Sequence, residues 1–292
     1  MKLKILALAA TLAFGATALQ AKTFKWSSAS DIATWDIHSQ NNALQNGIHA
    51  AVYESLVYYN SKTFKLEPVL ATAWKEVSPT QMRFTLRSGV KFHDGTPLTT
   101  DDAVFSIQRA MMPTSNFTPY IQGVDKVVKV NDTTFDVYSK TPNPVLLNQM
   151  TELRIMSKAW SEKNKSVAPK DIKTQEENFA HRNANGTGPY VLKEWLPDQK
   201  LVLTQNKAWW GKADTNVTEI VYTPVKAVAT RMAALLSGEV DLVLDPSPQD
   251  LPRVRSNPDL KVMDGVENRT IFFGMDQYRN ELVGSNIKGK NP

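Results

Sequence analysis

Residues 84–110 read FTLRSGVKFHDGTPLTTDDAVFSIQRA, a stretch in which strand-like alternation gives way to helical spacing. The alternation of apolar and polar residues, extended back to residue 80, predicts a half-buried strand over Thr80–Leu86. His93, Asp94 and Gly95 follow as a turn, because Asp-Gly is a turn pair in which glycine accepts a positive φ. The local pattern therefore predicts a strand, a turn and a helix in succession.

The helix is predicted to begin at Thr99, whose hydroxyl caps its first turn. Asp102, three residues on, occupies the position of a capping-box acid, and Asp101 and Asp102 both face the positive end of the helix dipole. The apolar positions that follow have helical spacing: Ala103, Val104, Ile107 and Met111. Each acid in the stretch thus has a structural role.

The competing interpretation of this stretch is a catalytic or metal site. The chain has only four histidines, no cysteine, and no HxxxH or HExxH pair. It also has no GxSxG nucleophile elbow and no phosphate-binding P-loop. We therefore predict no catalytic residue, no metal ligand and no cofactor, and interpret the protein as not an enzyme.

The N-terminus has the order of features of a secretory signal peptide. Lys2 and Lys4 precede an apolar run, Ile5 to Ala18, that is too short to span a bilayer. Small residues allow cleavage after Ala18 or Ala21. Because no cysteine is present, no lipid anchor is expected. We predict that residues 1–21 are a signal peptide and that the protein is periplasmic.

Composition excludes other classes of protein. Removing Lys2 and Lys4 lowers the formal net charge of +5 by two, and the remaining Lys and Arg residues are not clustered. No basic run with interleaved aromatics predicts nucleic-acid binding, and no later segment is apolar enough to cross a membrane. An exported chain of this length without cysteines must be stabilised by its core, and suggests about two domains.

Strand-like and helix-like segments are mixed along the chain, which predicts an α/β or mixed α+β fold. Helices are expected over Ile48–Leu56 and over Ala227–Ser237, the second ending at Gly238. The pair of glycines in Gly186–Tyr190 (GTGPY) predicts a tight turn. A strand is expected over Ile271–Met275.

The stretch from Ala71 to Ala110 resembles the signature block of the family 5 extracellular solute-binding proteins, which are receptors of ATP-driven importers. That block is roughly A-x-x-W, then T-F-x-L-R-x-G-V-x-F-H-D-G, then D-V-x-F-S. Four further motifs match in the family's order: YESLV (53–57), GTGPY (186–190), NKAWWG (206–211) and RMAALLSGEVDLV (231–243). Five ordered motifs are much more specific than any one of them.

The resemblance implies a periplasmic-binding-protein-like, bilobed fold with an inserted second domain. It places residues 22–65 and 186–274 in a discontinuous domain I and residues 66–185 in domain II. Residues 275–292 would begin the crossover to a third lobe. Family members run to roughly 500 residues, so we expect the C-terminal lobe to be missing from this sequence.

The resemblance also implies a function: a periplasmic receptor that captures di- or oligopeptides, or a peptide-like solute, and delivers them to the ABC importer permease in the inner membrane. It would be a monomer at full length. Within the family, nickel complexes, haem, opines and sugars are alternative solutes. An exported hydrolase and a surface protein without a small-molecule ligand are the alternatives from other classes.

In the family, a loop after an L-D-P-H-like segment reaches the ligand. Here that segment is Trp35–His38, followed by Ser39–Ala43, which makes Asn41, Asn42 and Ala43 candidates. The second contact follows the G-x-V-D strand and makes Leu244, Asp245 and Pro246 candidates. Their backbone groups would bond a peptide main chain. Trp209 and Trp210 are interpreted as packing residues.

Overall fold

The computed structural model describes residues 21–174, 176–265 and 270–275. The predicted signal peptide, apart from Ala21, and the predicted crossover segment, apart from Met275, lie outside the described residues. The chain divides into two compact units, residues 1–247 and residues 248–292. The sequence-based division into domains I and II stays a prediction.

The described strands are β1 (Lys22–Ser28), β2 (Val57–Asn60), β3 (Lys65–Pro68), β4 (Ala71–Ser78), β5 (Gln81–Leu86), β6 (Val124–Asn131), β7 (Thr134–Ser139), β8 (Tyr190–Leu196), β9 (Lys200–Gln205), β10 (Val217–Pro224) and β11 (Leu242–Val243). The described helices are α1 (Ala43–His49), α2 (Thr100–Ala110), α3 (Thr118–Ile121), α4 (Leu146–Met150), α5 (Lys158–Lys163), α6 (Phe179–Arg182), α7 (Val228–Leu236) and α8 (Leu251–Arg255). Short 3-10 helices cover Ile172–Thr174 and Pro248–Asp250.

The first unit contains a five-stranded mixed sheet in the order β11-β1-β10-β9-β8. Strand β1 pairs in parallel with both β10 and β11, whereas β9 is antiparallel to β10 and β8. The turn between β8 and β9 contains Asp198 in the left-handed region, at φ +57°. One hydrophobic core lies on this sheet and includes Trp35, Tyr53 and Tyr222.

A four-stranded antiparallel sheet of the same unit has the order β4-β5-β7-β6. Helix α2 packs on β6 and β7. The second core lies here, with Phe84 stacked on Phe135 at 5.3 Å between ring centroids. The strand predicted over Thr80–Leu86 is confirmed as β5, because the alternation buries Phe84 and Leu86 in this core.

The predicted N-terminal cap of α2 is confirmed. Asp102 accepts a hydrogen bond from the backbone N–H of Thr99 at 2.8 Å and completes a capping box. Its other oxygen accepts from the N–H of Lys158, at 2.8 Å, so the same carboxylate also holds the start of α5. The end of α7 before Gly238, at φ +75°, matches the predicted stop.

The helix predicted over Ile48–Leu56 is wrong, since α1 covers Ala43–His49 instead. The Asn42 side chain accepts from the N–H of Gln45 and starts the helix early. The helix ends early because the carbonyls of Ala51 and Val52 accept from Tyr190 and Gly188, both at 2.9 Å. These distant partners replace the bonds that a helix would make.

The tight turn predicted at GTGPY has a different cause from the one expected. Neither Gly186 nor Gly188 has a positive φ. A Cβ on Gly186 would instead lie 1.9 Å from the carbonyl oxygen of Val52, and one on Gly188 would lie 2.7 Å from that of Ala51. Glycine is required here for close approach of two backbones.

The second unit contains α8 and an ion pair between Arg255 and Asp264, at 3.9 Å. The strand predicted over Ile271–Met275 is absent, since residues 270–275 have no regular secondary structure. Within the described ranges, no helix has the length and apolar character needed to cross a bilayer.

Candidate functional site

The carboxyl ends of the parallel strands β1, β10 and β11 meet at one edge of the five-stranded sheet. The segments that leave this edge are residues 29–42, residues 225–227 and residues 244–246. In open α/β sheets, ligands bind outside the carboxyl ends of parallel strands. Asn41 and Asn42 end the first of these segments, and Ala43 follows directly as the first residue of α1. Leu244, Asp245 and Pro246 form the last segment.

The segment Trp35–His38 is a buried anchor for the first of these connections. Asp36 is 1% exposed and accepts two hydrogen bonds from Arg109 of α2, at 2.7 and 2.6 Å. Burial alone would raise the pKa of Asp36, but the charge and hydrogen bonds of Arg109 outweigh it and hold that pKa below its ordinary value. The ion pair fixes where the following loop starts.

His38 joins the same buried cluster. Its Nδ1 accepts from Nη1 of Arg109 at 3.1 Å. Burial and the charge of Arg109 lower the pKa of His38 to about 3, so the imidazole is neutral at physiological pH. A neutral ring with Nδ1 as acceptor satisfies the arginine without adding a second positive charge.

The candidates Asn41, Asn42 and Ala43 lie at the start of α1. The Asn42 side chain caps the helix, and Asn41 Oδ1 accepts from the Asn46 side chain at 2.8 Å. Among the described residues, the backbone N–H groups of Asn41 to Ala43 have no acceptor. These three donors are therefore free to bind a solute.

The same three residues form one wall of an open groove with a volume of about 570 Å³. We call it the asparagine groove. Its lining also includes Tyr120, Glu152 and Arg154. The groove is polar, with amide, phenol, carboxylate and guanidinium groups in one place. Leu244, Asp245 and Pro246 do not line it.

Residues 244–246 are positioned by the sheet and by Arg231. The N–H of Leu244 bonds the carbonyl of Ser27 at 3.0 Å and extends the β1–β11 pairing. Asp245 has a φ of +52° and its carbonyl accepts from Arg231 at 3.4 Å. Two of the backbone groups predicted to contact a ligand are thus already bonded within the protein.

Arg231 of α7 is a buried residue that the sequence reasoning did not single out. It is 3% exposed, and its Nη1 donates to the carbonyls of Val225 and Lys226, at 2.6 and 3.0 Å. With its bond to Asp245, it links two of the segments that leave the carboxyl edge of the sheet. Its sequence signals are its place as the first residue of the RMAALLSGEVDLV motif and its charge on the apolar face of a predicted helix.

Three of the quoted motifs meet at Glu54, a residue of the YESLV motif. The Glu54 carboxylate accepts from the hydroxyl of Thr187 at 2.7 Å and from the indole N–H groups of Trp209 and Trp210, at 3.2 and 2.9 Å. Arg87 lies over the Trp210 ring, 4.3 Å from its centroid. The interpretation of both tryptophans as packing residues agrees with this arrangement.

His93 and Asp94, in the turn between β5 and α2, hold the GTGPY segment and the preceding Asn185 by hydrogen bonds. The ring of His93 bonds the carbonyl of Gly188 at 3.1 Å and accepts from the N–H of Gly186 at 3.3 Å. Asp94 bonds the side chain of Asn185 at 2.9 Å. Across the described ranges, no three His, Asp or Glu side chains are grouped so as to hold a metal ion.

This fold and edge geometry define a class of binding protein, and comparison with known proteins identifies the family. The model of the bacterial extracellular solute-binding proteins, family 5, matches residues 65–287. The chain therefore belongs to family 5 of the bacterial extracellular solute-binding proteins, and the predicted resemblance is confirmed.

Individual relatives agree with this assignment. The chain is 25% identical over 268 residues to the periplasmic oligopeptide-binding protein OppA of Escherichia coli K12, covering 84% of this chain and 47% of that protein. It is 28% identical over 257 residues to heme-binding protein A of Haemophilus influenzae, covering 80% of this chain and 45% of the relative. The chain thus spans about half the length of the curated relatives it matches.

Solved structures show the same fold. The dipeptide-binding protein from Pseudoalteromonas sp. SM9913, in complex with Met-Leu, superimposes with a TM-score of 0.73 at 22% identity. The match covers 81% of this chain and 50% of that one. The predicted mixed α/β fold of the periplasmic-binding-protein type is confirmed.

Proposed function

We propose that this protein is a periplasmic receptor of an ABC importer that captures a peptide and delivers it to the membrane permease. The observation that carries the proposal is the family match over residues 65–287, combined with three free backbone N–H groups beside an open polar groove. Donors of this kind bind a peptide main chain whatever its side chains are. The proposed contacts are Asn41, Asn42 and Ala43, and, at the same edge of the sheet, Leu244, Asp245 and Pro246.

A non-peptide solute is the second candidate, because one relative of 28% identity is a heme-binding protein. Native mass spectrometry of the protein purified without denaturation distinguishes the two, since it weighs whatever solute co-purifies. A mass series of di- to oligopeptides supports the proposal. A single mass that matches a metal complex, a tetrapyrrole or a sugar acid contradicts the peptide assignment.

The alternative of an exported hydrolase is tested on the same preparation. We expect no turnover of chromogenic esters or peptides and a ligand-induced rise in Tm with bound peptide. Turnover that survives further purification would contradict a receptor function. At full length the receptor is expected to be monomeric by light scattering.

The periplasmic location is tested by N-terminal sequencing of the protein from an osmotic-shock fraction. Cleavage after Ala18 or Ala21 gives a first residue of Leu19 or Lys22. Recovery of Met1 on protein from the cell interior would contradict both the leader and the location.

A further inference from the structure

Glu152 and Arg154 face the asparagine groove because the segment that carries them is extended. Arg154 bridges Ser55 in an antiparallel pairing, and the N–H of Ile155 bonds the carbonyl of Glu54 at 2.9 Å. Side chains of an extended segment alternate between two faces. Leu153 and Ile155 are fully buried, so the residues between and before them point the other way, into the groove.

The guanidinium of Arg154 has no partner within the described part of the chain, neither a hydrogen-bond acceptor nor an ion pair. A guanidinium carries five N–H donors. Burial lowers the pKa of Arg154 below its ordinary value, and the nearby charges of Glu152 and Glu54 only partly oppose this. The groove thus contains a cation that has lost part of its water without gaining a protein acceptor.

Glu54 and Glu152, the two acids whose charges act on Arg154, do not neutralise its guanidinium. Glu54 already accepts from Thr187, Trp209 and Trp210, which occupy both of its oxygens. Glu152 lies on the same wall of the groove but forms no ion pair with Arg154. A hydrogen-bond acceptor for the N–H groups of Arg154 must therefore come from outside these residues.

Other arginines with little solvent exposure are matched inside the protein. Arg109 pairs with Asp36 and bonds the carbonyl of Val167. Arg231 bonds the carbonyls of Val225 and Lys226. Both guanidinium groups thus have acceptors inside the protein, although Nε of Arg231 has none within the described part of the chain. Arg154, in contrast, faces an open groove beside three free N–H groups.

We propose that Arg154 binds a carboxylate group of the captured solute in the asparagine groove, an inference that rests on the proposed receptor function. A planar guanidinium matches a carboxylate through two parallel hydrogen bonds. Glu152 adds a negative charge to the same wall. A solute with both a carboxylate and an ammonium group therefore complements the groove better than a simple anion does.

The test is isothermal titration with three probes: trialanine, its C-terminal amide, and the amide of Ala-Asp-Ala. The full-length wild-type receptor should prefer trialanine over its amide by about tenfold, the range expected for one charge-assisted pair. The third probe distinguishes a terminal from a side-chain carboxylate, because it carries only the latter. If the Ala-Asp-Ala amide binds as tightly as trialanine, Arg154 accepts a side-chain carboxylate as well as a terminal one.

Three variants separate the role of Arg154 from general effects. In Arg154→Met the preference for the acid should fall to about twofold or less, because the side chain keeps its length and loses its charge. Arg154→Lys keeps the charge but not the fork, so an intermediate preference is expected. Arg182→Met removes an arginine that pairs with Glu177 outside the groove, and should keep the full preference. Urea midpoints show whether each variant folds, and Arg154→Lys carries the test if the methionine variant does not.

The possible results are distinct. Equal binding of acid and amide by the wild type, or an unchanged preference in the Arg154 variants, overturns the carboxylate assignment and leaves the receptor function standing. Binding of none of the three probes by the wild type overturns the proposed peptide receptor, and the inference that rests on it. A preference that disappears with Arg154 and persists in the Arg182 variant supports both.

Discussion

The carboxylate of Asp36 lies 2.6 and 2.7 Å from two nitrogens of Arg109, and neither side chain reaches solvent. The pair joins the connection that follows β1 to the second-to-last residue of α2, across 73 positions of sequence. Removing one partner of a buried ion pair leaves an uncompensated charge, which costs more than the pair contributes when intact. The pair therefore fixes the loop that leads to Asn41.

Replacing Asp36 by Asn should lower the free energy of unfolding by about 3–5 kcal/mol, because Arg109 keeps its charge in a buried site. Urea denaturation at pH 7 measures the loss. The control is Glu219→Gln, which removes the partly exposed partner of the exposed Lys193, 3.0 Å away, and should cost about 1 kcal/mol or less. Equal losses in the two variants would contradict the buried-pair argument.

As the pH is lowered, the protein should begin to lose stability at a pH well above the ordinary pKa of carboxylates. Burial lowers the pKa of His49 to about 4 from 6.5, and that of His38 to about 3. Between pH 6.5 and 4 both imidazoles are protonated in the unfolded state but stay largely neutral in the folded state. Stability is therefore complete above pH 6.5 and falls as the pH drops, by up to about 1.4 kcal/mol per pH unit for each histidine.

The variant His49→Gln isolates one of these histidines. Its stability between pH 6.5 and 4 should decline less steeply than that of the wild type, because one proton-binding difference is gone. His181→Gln serves as the comparison. Burial lowers the pKa of His181 as well, but its ring is less buried and lies 3.2 Å from Glu177, so its removal should reduce the slope less. The relevant measurement is the urea midpoint at several pH values. A wild-type profile that is flat over this range would refute the prediction.

The elements that local sequence determines were predicted well. The α2 cap at Thr99 and Asp102 and the β5 alternation involve residues within a few positions of each other, so their chemistry is visible in the sequence. The end of α1 was not predictable in this way. It depends on Gly188 and Tyr190, more than 130 positions away, taking the carbonyls that a longer helix would have used.

In the candidate site too, some residues can be predicted from the sequence, and others only from contacts between distant segments. The resemblance of Trp35–His38 to the family's L-D-P-H-like segment predicts Ser39–Ala43 as a contact loop, and Asn41 to Ala43 line a groove. Arg154 was missed because nothing in its sequence neighbourhood distinguishes it from a solvated arginine. Its significance appears only once Glu54 is seen to be occupied by Thr187 and two tryptophans.

Two glycine substitutions should have opposite effects on stability. Gly186→Ala would place a Cβ 1.9 Å from the Val52 carbonyl oxygen, and the forced backbone shift should cost about 1–3 kcal/mol. Gly47→Ala lies within α1 with no atom within 4 Å of the new Cβ, and should stabilise by about 0.5–1 kcal/mol through helix propensity. Thermal or urea unfolding of both variants checks the signs. Stabilisation by Gly186→Ala would show that the two backbones are not in contact.

Glu54 is the residue on which the YESLV, GTGPY and NKAWWG motifs converge, and its removal should loosen all three. Glu54→Ala leaves Thr187, Trp209 and Trp210 without their acceptor, at a cost of about 1–3 kcal/mol for buried donors that stay unpaired. Because two indoles then turn toward water, the tryptophan emission of the folded variant should shift to longer wavelength. The matched control is Glu67→Ala, which removes the acceptor of Asn60 at 2.7 Å in the β2–β3 hairpin and involves no tryptophan. That variant should keep both its emission maximum and most of its stability. A Glu54→Ala protein with wild-type emission and an unchanged urea midpoint would mean that the three motifs are held by their apolar contacts alone, and that the carboxylate is not their common anchor.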